Sequence, residues 1–148
     1  IGCCVNGYVI DQTRTAVIGR LSDELSAAYA VSERILRQTE AALRPGTVCE
    51  TLYAEALATA REAGLAEHFM GYGDDQVKFL GHGIGLEVDE WPVLARGFQY
   101  QLQPGMVIAI EPKFTYPGQG VVGIENTYHI TEDGWANLTP FREGVIEL

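Results

Sequence analysis

Residues 106–130, MVIAIEPKFTYPGQGVVGIENTYHI, hold two apolar runs on either side of a turn-forming cluster. TYPGQG marks the turn, and MVIAIEPKF and VVGIENTYHI are each apolar enough to be a buried strand. Each run carries one carboxylate, Glu111 and Glu125. A hairpin centred near Gly118 sets these two opposite each other on one face. Like charges facing across a strand pair destabilise it, and a buried carboxylate without a partner is costly. A bound divalent cation removes both penalties. Just upstream, residues 81–90 read GHGIGLEVDE. A histidine between glycines, followed by one carboxylate per strand of a hairpin, is a donor set suited to a divalent metal, so His82 joins the two glutamates as a candidate ligand.

The rest of the chain narrows the class. At 148 residues it is long enough for one domain that buries roughly two-thirds of its unfolded surface. A composition 47% hydrophobic and 20% charged is that of a soluble globular protein. The net charge of −10, with no basic stripe, argues against nucleic acid or an anionic membrane as a partner. No apolar run approaches the ~20 residues of a membrane span, and no signal-peptide pattern is present. Cys3, Cys4 and Cys49 are odd in number and two are adjacent, which is no disulfide framework and favours a reducing, cytoplasmic setting. They read as buried apolar cysteines.

Working outward, Asn6-Gly7 between IGCCV and YVIDQTRTAVI predicts a type I′ hairpin that pairs Val5 with Tyr8 and Gly2 with Asp11. Ser22 with Asp23 and Glu24 starts a helix whose apolar positions recur through Leu25, Ala28, Val31, Ile35 and Leu43, and Pro45-Gly46 ends it. Thr47 and Glu50 read as a capping box for a second helix running to Gly64. A polar loop, a short strand (QVKFL), the glycine-rich GHGIG, a strand-like alternation (LEVDEW) ending at Pro92, and the closing hairpin follow. Strands, two helices, then strands predict an α+β fold with helices on one face of an antiparallel sheet. Asp11 is the only acidic residue in an apolar, β-branched strand. Lying opposite Gly2, it faces no side chain, and its diagonal neighbour is the position just before Ile1.

GYVIDQTRT, GHGIGLEVDEWP, LQPGMVIAIEP and GVVGIENTYHITEDG together resemble the pita-bread metallopeptidases: creatinase, aminopeptidase P, prolidase and methionine aminopeptidase, with the Xaa-Pro peptidase branch nearest. The likeness runs through nearly the whole chain, with the motifs in family order. It implies a curved antiparallel sheet with helices on one face, and a site where two Asp, one His and two Glu hold two divalent cations. The family pattern D-x-G-x-x-x-x-G-Y-x-x-D-x-T-R-T puts its second aspartate on Asp11 and matches Gly2, Gly7, Tyr8, Thr13, Arg14 and Thr15. The metal histidine falls on His82 and the glutamates on Glu111 and Glu125. The family's first aspartate falls one residue before Ile1. Residues 1–148 are therefore expected to be the downstream part of a catalytic domain that lacks its upstream segment, inactive alone and prone to dimerise or self-associate through uncovered apolar surface. The implied chemistry is hydrolysis of an N-terminal peptide bond by a metal-acidified water, with Glu111 as proton shuttle and Glu125 as bridge. Oxygen-rich ligation with one imidazole suits manganese, cobalt, iron or zinc.

Departures from the pattern bear on catalysis. The two histidines that flank the metal histidine in Xaa-Pro peptidases are replaced by Lys78 and Asp89, and Gly123 and Asn126 stand where Arg and Asp are usual. Lys78, Asp89 and Trp91 are the candidate substrate-binding residues, although core packing also suits Trp91. An ionised Asp89 cannot donate a hydrogen bond to an oxyanion. His68 reads as a surface residue, His129 as a rim group, and Glu87 and Glu90 as solvated or locally paired. A catalytically inactive binding module, and a non-peptidase hydrolase or lyase of the same fold, are the alternatives to a peptidase.

Overall fold

The structure is a computed structural model and describes residues 1–148. Its first element is the expected hairpin, β1 (Gly2–Val5) against β2 (Tyr8–Asp11), in the expected register of Val5 on Tyr8 and Gly2 on Asp11. Asn6 and Gly7 both take positive φ, 54° and 87°, as a type I′ turn requires. All four β1 residues are exposed. Cys3 and Cys4 are therefore open to solvent rather than buried, because a lone two-stranded ribbon has no second layer here. Only Cys49 is buried, and all three thiols are free.

After the short β3 (Ala16–Val17), α1 spans Asp23–Ala42 and α2 spans Cys49–Glu62. Ser22 caps α1, its hydroxyl accepting the Leu25 N–H at 3.3 Å. Ser22→Ala is expected to cost about 1 kcal/mol, read as a lower midpoint in urea unfolding with an unchanged slope. The capping box expected for α2 does not form. The Thr47 hydroxyl donates to the Ala42 carbonyl, while the Glu50 carboxylate accepts the Gly97 N–H and contacts the Gln99 amide. The first N–H groups of α2 are met instead by chain carbonyls, Cys49 to Tyr100 and Glu50 to Phe98. A tertiary contact has taken over what a local cap would do.

The main sheet is antiparallel with order β10-β9-β6-β4-β5. Its strands are β4 (Phe79–Gly83), β5 (Glu90–Ala95), β6 (Val107–Ile110), β9 (Asn126–Ile130) and β10 (Trp135–Asn137). The hairpin β7 (Lys113–Tyr116) with β8 (Gly120–Gly123), and β11 (Ile146–Glu147) parallel to β3, complete the fold. LEVDEW is not one strand. Leu86–Asp89 is a loop, and β5 begins at Glu90 and runs through Pro92, which an edge strand tolerates because its missing N–H has no neighbour to serve.

One face of the sheet meets the helices. Ile108, Ile110, Tyr128 and Ile130 are fully buried in one cluster with Ile35 and Leu36 of α1 and Leu52 and Ala56 of α2. The intervening residues of β6 and β9 turn to the other side. His68 is half-buried rather than a surface residue, its ring stacked 4.2 Å from Tyr116 and its Nδ1 2.8 Å from the Thr115 carbonyl.

Candidate metal centre

Register brings the acidic residues to one place. Val107 pairs with His129 and Ile110 with Asn126, while Lys113 pairs with Gly123 and Tyr116 with Gly120. Every pair is centred on Gly118, so Glu111 and Glu125 face each other as the sequence predicts. Ala109 lies opposite both His82 and Thr127. Two residues along those strands, period two delivers Glu111 and Glu125 to the side of His82. His82, Glu111 and Glu125 each offer one donor atom within 4.8 Å of the others.

The glycines beside His82 are a packing requirement. A Cβ on Gly81 would strike the Ala109 carbonyl oxygen of β6, and one on Gly83 the Trp91 carbonyl oxygen of β5. Their absence lets both neighbouring strands close on β4 and hold His82, which is 5% exposed. His82 Nδ1 lies 2.9 Å from the Gly83 carbonyl. A carbonyl only accepts, so Nδ1 carries hydrogen and Nε2 turns its lone pair toward the carboxylates. Nε2 is 3.7 Å from Glu111 Oε1 and 3.4 Å from Asp89 Oδ1.

Glu125 is 4% exposed. Burial pushes its carboxyl up from 4.5 to about 7, the hydrogen bond from Thr13 pulls it back, and the nearby Glu111 and Asp11 raise it further. The Thr13 hydroxyl donates to Glu125 Oε2 at 2.6 Å. Glu111 is paired with the Lys113 ammonium. Lys113 was not singled out from the sequence, although its place two residues after Glu111 on a strand carries the signal. Arg14 braces the same strand by donating to the Glu125 carbonyl at 2.8 Å and to Asn126 Oδ1 at 2.8 Å.

Asp11 stands outside the trio. Its backbone is tied to β9, its N–H reaching Thr127 Oγ1 at 3.2 Å and its carbonyl accepting the Thr127 hydroxyl at 2.7 Å. Its carboxylate accepts the Gln12 N–H at 2.8 Å and lies 3.6 Å from the Ile1 amino group. Asp89 and Trp91 line a cavity of about 340 Å³ with His82, Phe79, Glu90 and Val93. Trp91 is 65% exposed and leans on Phe98 and Tyr100, so it is a cavity wall and not core. Lys78 does not join them. It lines a separate cavity of about 290 Å³ with Tyr53, Arg61, Gln76 and Arg96. Residues four apart share a face only in a regular strand, and the register shift between Phe79 and His82 breaks that rule here. His129 is half-buried, opposite Val107 and Ala136.

The donor set fits a divalent cation. Two carboxylates and one imidazole nitrogen, largely withdrawn from water, crowd like charge that a dication would neutralise. Oxygen donors with one nitrogen suit manganese, cobalt, iron or zinc.

Residues 1–132 match the model of metallopeptidase family M24. The chain is 40% identical over 128 residues to the probable dipeptidase PepE of Mycobacterium tuberculosis, an alignment covering 86% of this chain and 32% of that protein. It is 36% identical over 139 residues to the Xaa-Pro dipeptidase of Pyrococcus furiosus, covering 94% of this chain and 38% of the other. Among solved structures, the prolidase of Pyrococcus horikoshii superposes with a TM-score of 0.88 at 33% identity, over 98% of this chain and 40% of that one. The X-Pro aminopeptidase of Thermotoga maritima superposes with a TM-score of 0.90 at 27% identity, over 99% and 40%. The α+β pita-bread architecture expected from the sequence is borne out. The chain spans about a third to two-fifths of the length of the relatives it matches.

Proposed function

Since the chain belongs to metallopeptidase family M24, we propose that the protein carrying it is a metal-dependent peptidase that hydrolyses the N-terminal bond of short peptides, as an Xaa-Pro dipeptidase or aminopeptidase does. The observation that carries this reading is the convergence of buried His82 and Glu125 with half-buried Glu111 on one point. Family membership implies divalent metal ions. We assign two of them, from manganese, cobalt, iron or zinc, with Asp11 as a fourth donor from this chain. Three free thiols favour a reducing, cytoplasmic setting.

When bound, a divalent cation supplies Lewis acidity toward a carbonyl oxygen and lowers the pKa of a water. The protein's own groups do the rest. His82, fixed by Gly83, presents Nε2 in one orientation. Thr13 holds Glu125 by its Oε2, leaving the other oxygen free. Glu111 is the group that takes a proton and returns it to the leaving amine, and the Lys113 ammonium orients its carboxylate. The cavity bounded by Phe79, Trp91 and Asp89 receives a substrate side chain.

The test is release of the first residue from Xaa-Pro and Xaa-Ala peptides by the protein that carries this chain, with manganese, cobalt or zinc added in turn. Metal-dependent turnover that chelation removes is the expected result. No turnover with any metal and either peptide would overturn the peptidase reading in favour of a binding module.

A further inference from the structure

Asp89 occupies a position the metallopeptidase pattern gives to a histidine, and its geometry sets it apart from the acids around it. Its Oδ1 lies 3.4 Å from His82 Nε2, closer than Glu111 Oε1 at 3.7 Å. Because Nδ1 hydrogen-bonds the Gly83 carbonyl, Nε2 faces these oxygens with a lone pair, and acceptors alone converge. Either a proton on Nε2 or a cation between the groups must relieve that arrangement. Charge-assisted N–H···O bonds run about 2.7–3.2 Å, so neither separation is that of a hydrogen bond. Two donors each about 2.0–2.2 Å from one cation stand roughly 2.8–3.6 Å apart at octahedral to tetrahedral angles. The His82–Asp89 separation falls inside that interval.

The neighbouring acids are committed elsewhere. Glu90 Oε1 accepts the Leu86 N–H at 2.9 Å and so pins the loop between β4 and β5. The Glu87 carbonyl accepts the Gly85 N–H, and its side chain lies on the exposed rim of that loop. Those two bonds fold the loop back over β4, which Gly83 permits by letting the Trp91 carbonyl pass where a Cβ would sit. Of the three acids in this segment only Asp89 is carried over His82. It also borders the 340 Å³ cavity together with His82.

We propose that Asp89 is a further metal ligand in this chain, giving the cation held by His82 an oxygen donor at the cavity mouth. The assignment rests on the metal-centre reading above. It makes the site richer in oxygen than one with a histidine at this position, and therefore favours manganese over zinc.

The test is calorimetric titration of the metal-stripped protein with Mn²⁺, alongside the absorption spectrum of the Co²⁺ form. Asp89→Asn is expected to weaken Mn²⁺ binding at least about tenfold and to shift the Co²⁺ ligand-field bands. Glu87→Gln removes the same charge two residues away, and is expected to leave the affinity within about twofold and the bands in place. Asp89 is largely exposed, so its replacement leaves folding intact, checked by the thermal midpoint of the metal-free forms. Unchanged affinity and bands in Asp89→Asn overturn the proposal. An equal loss in Glu87→Gln also overturns it, because the effect is then diffuse electrostatics. His82→Ala separates the two levels of inference: binding that survives it, or a parent that binds no Mn²⁺, overturns the metal-centre reading beneath.

Discussion

Glu111→Gln in the protein that carries this chain is expected to lower kcat for peptide hydrolysis by about 10²–10⁴-fold, the range a positioned acid–base group contributes, with a much smaller change in KM. Glutamine keeps the size and one oxygen of the glutamate but can neither take up nor release a proton in turnover. The exchange also removes the charge that faces Lys113, so part of any loss could come from a displaced lysine. Lys113→Met isolates that part. It deletes the ammonium while leaving the Glu111 carboxyl, and is expected to cost far less than Glu111→Gln. Steady-state kinetics on Xaa-Pro peptides at saturating Mn²⁺ reads both variants. A Glu111→Gln enzyme within tenfold of the parent would remove Glu111 from the proton-transfer role.

The placement of Glu111 opposite Glu125 could be anticipated because the features behind it are local. Asn6-Gly7 dictates its own turn and thereby the Gly2–Asp11 pairing. TYPGQG centres the second hairpin on Gly118, and a period of two then decides that Glu111 and Glu125 share a face. The close strand approach that the glycines beside His82 permit is a finding of the structure, because Ala109 and Trp91, which approach them, are distant in sequence. What could not be read depended on contacts between remote segments. Thr47 and Glu50 satisfy the local capping pattern, yet the chain from Phe98 to Gln101 lies against them and takes the helix N–H groups. Lys78 has the spacing of a site residue, but a register shift inside β4 sends it to another cavity. Asp11 matches its motif, but the ties that seat it, its backbone to Thr127 and one carboxylate oxygen to the Gln12 N–H, are not visible in that motif. Sequence periodicity assigns faces; it does not register bulges or the rotamer of an acid at a sheet edge.

Metal-free protein is expected to lose stability as pH rises from about 4.5 to 7, and Glu125 is the reason. Its carboxyl is pushed from 4.5 up to about 7, chiefly by burial and then by Glu111 and Asp11. The folded state therefore binds this proton more tightly than the unfolded chain. Below pH 4.5 both states hold the proton and the group is neutral in the balance. Between pH 4.5 and 7 the unfolded chain ionises while the folded one resists, so stability falls with pH; above 7 the fall is complete. At 1.36 kcal/mol per unit the loss is on the order of 3 kcal/mol. Other carboxylates respond in the same range, so the informative quantity is the difference from Glu125→Gln, which cannot ionise and is expected to lack this component. Urea unfolding at pH 4 and pH 8 measures it, the parent dropping by about 3 kcal/mol more than the variant. A divalent cation competes with the proton for the same oxygens, so Mn²⁺ is expected to cancel the parent's decline and to bind more tightly as pH rises toward 8. Equal slopes for parent and variant without metal would mean that Glu125 is hydrated in solution and that like charge at the trio is not confined. The metal-centre reading would then lose its electrostatic basis, because a carboxylate that ionises freely in water has no need of a cation to stay buried.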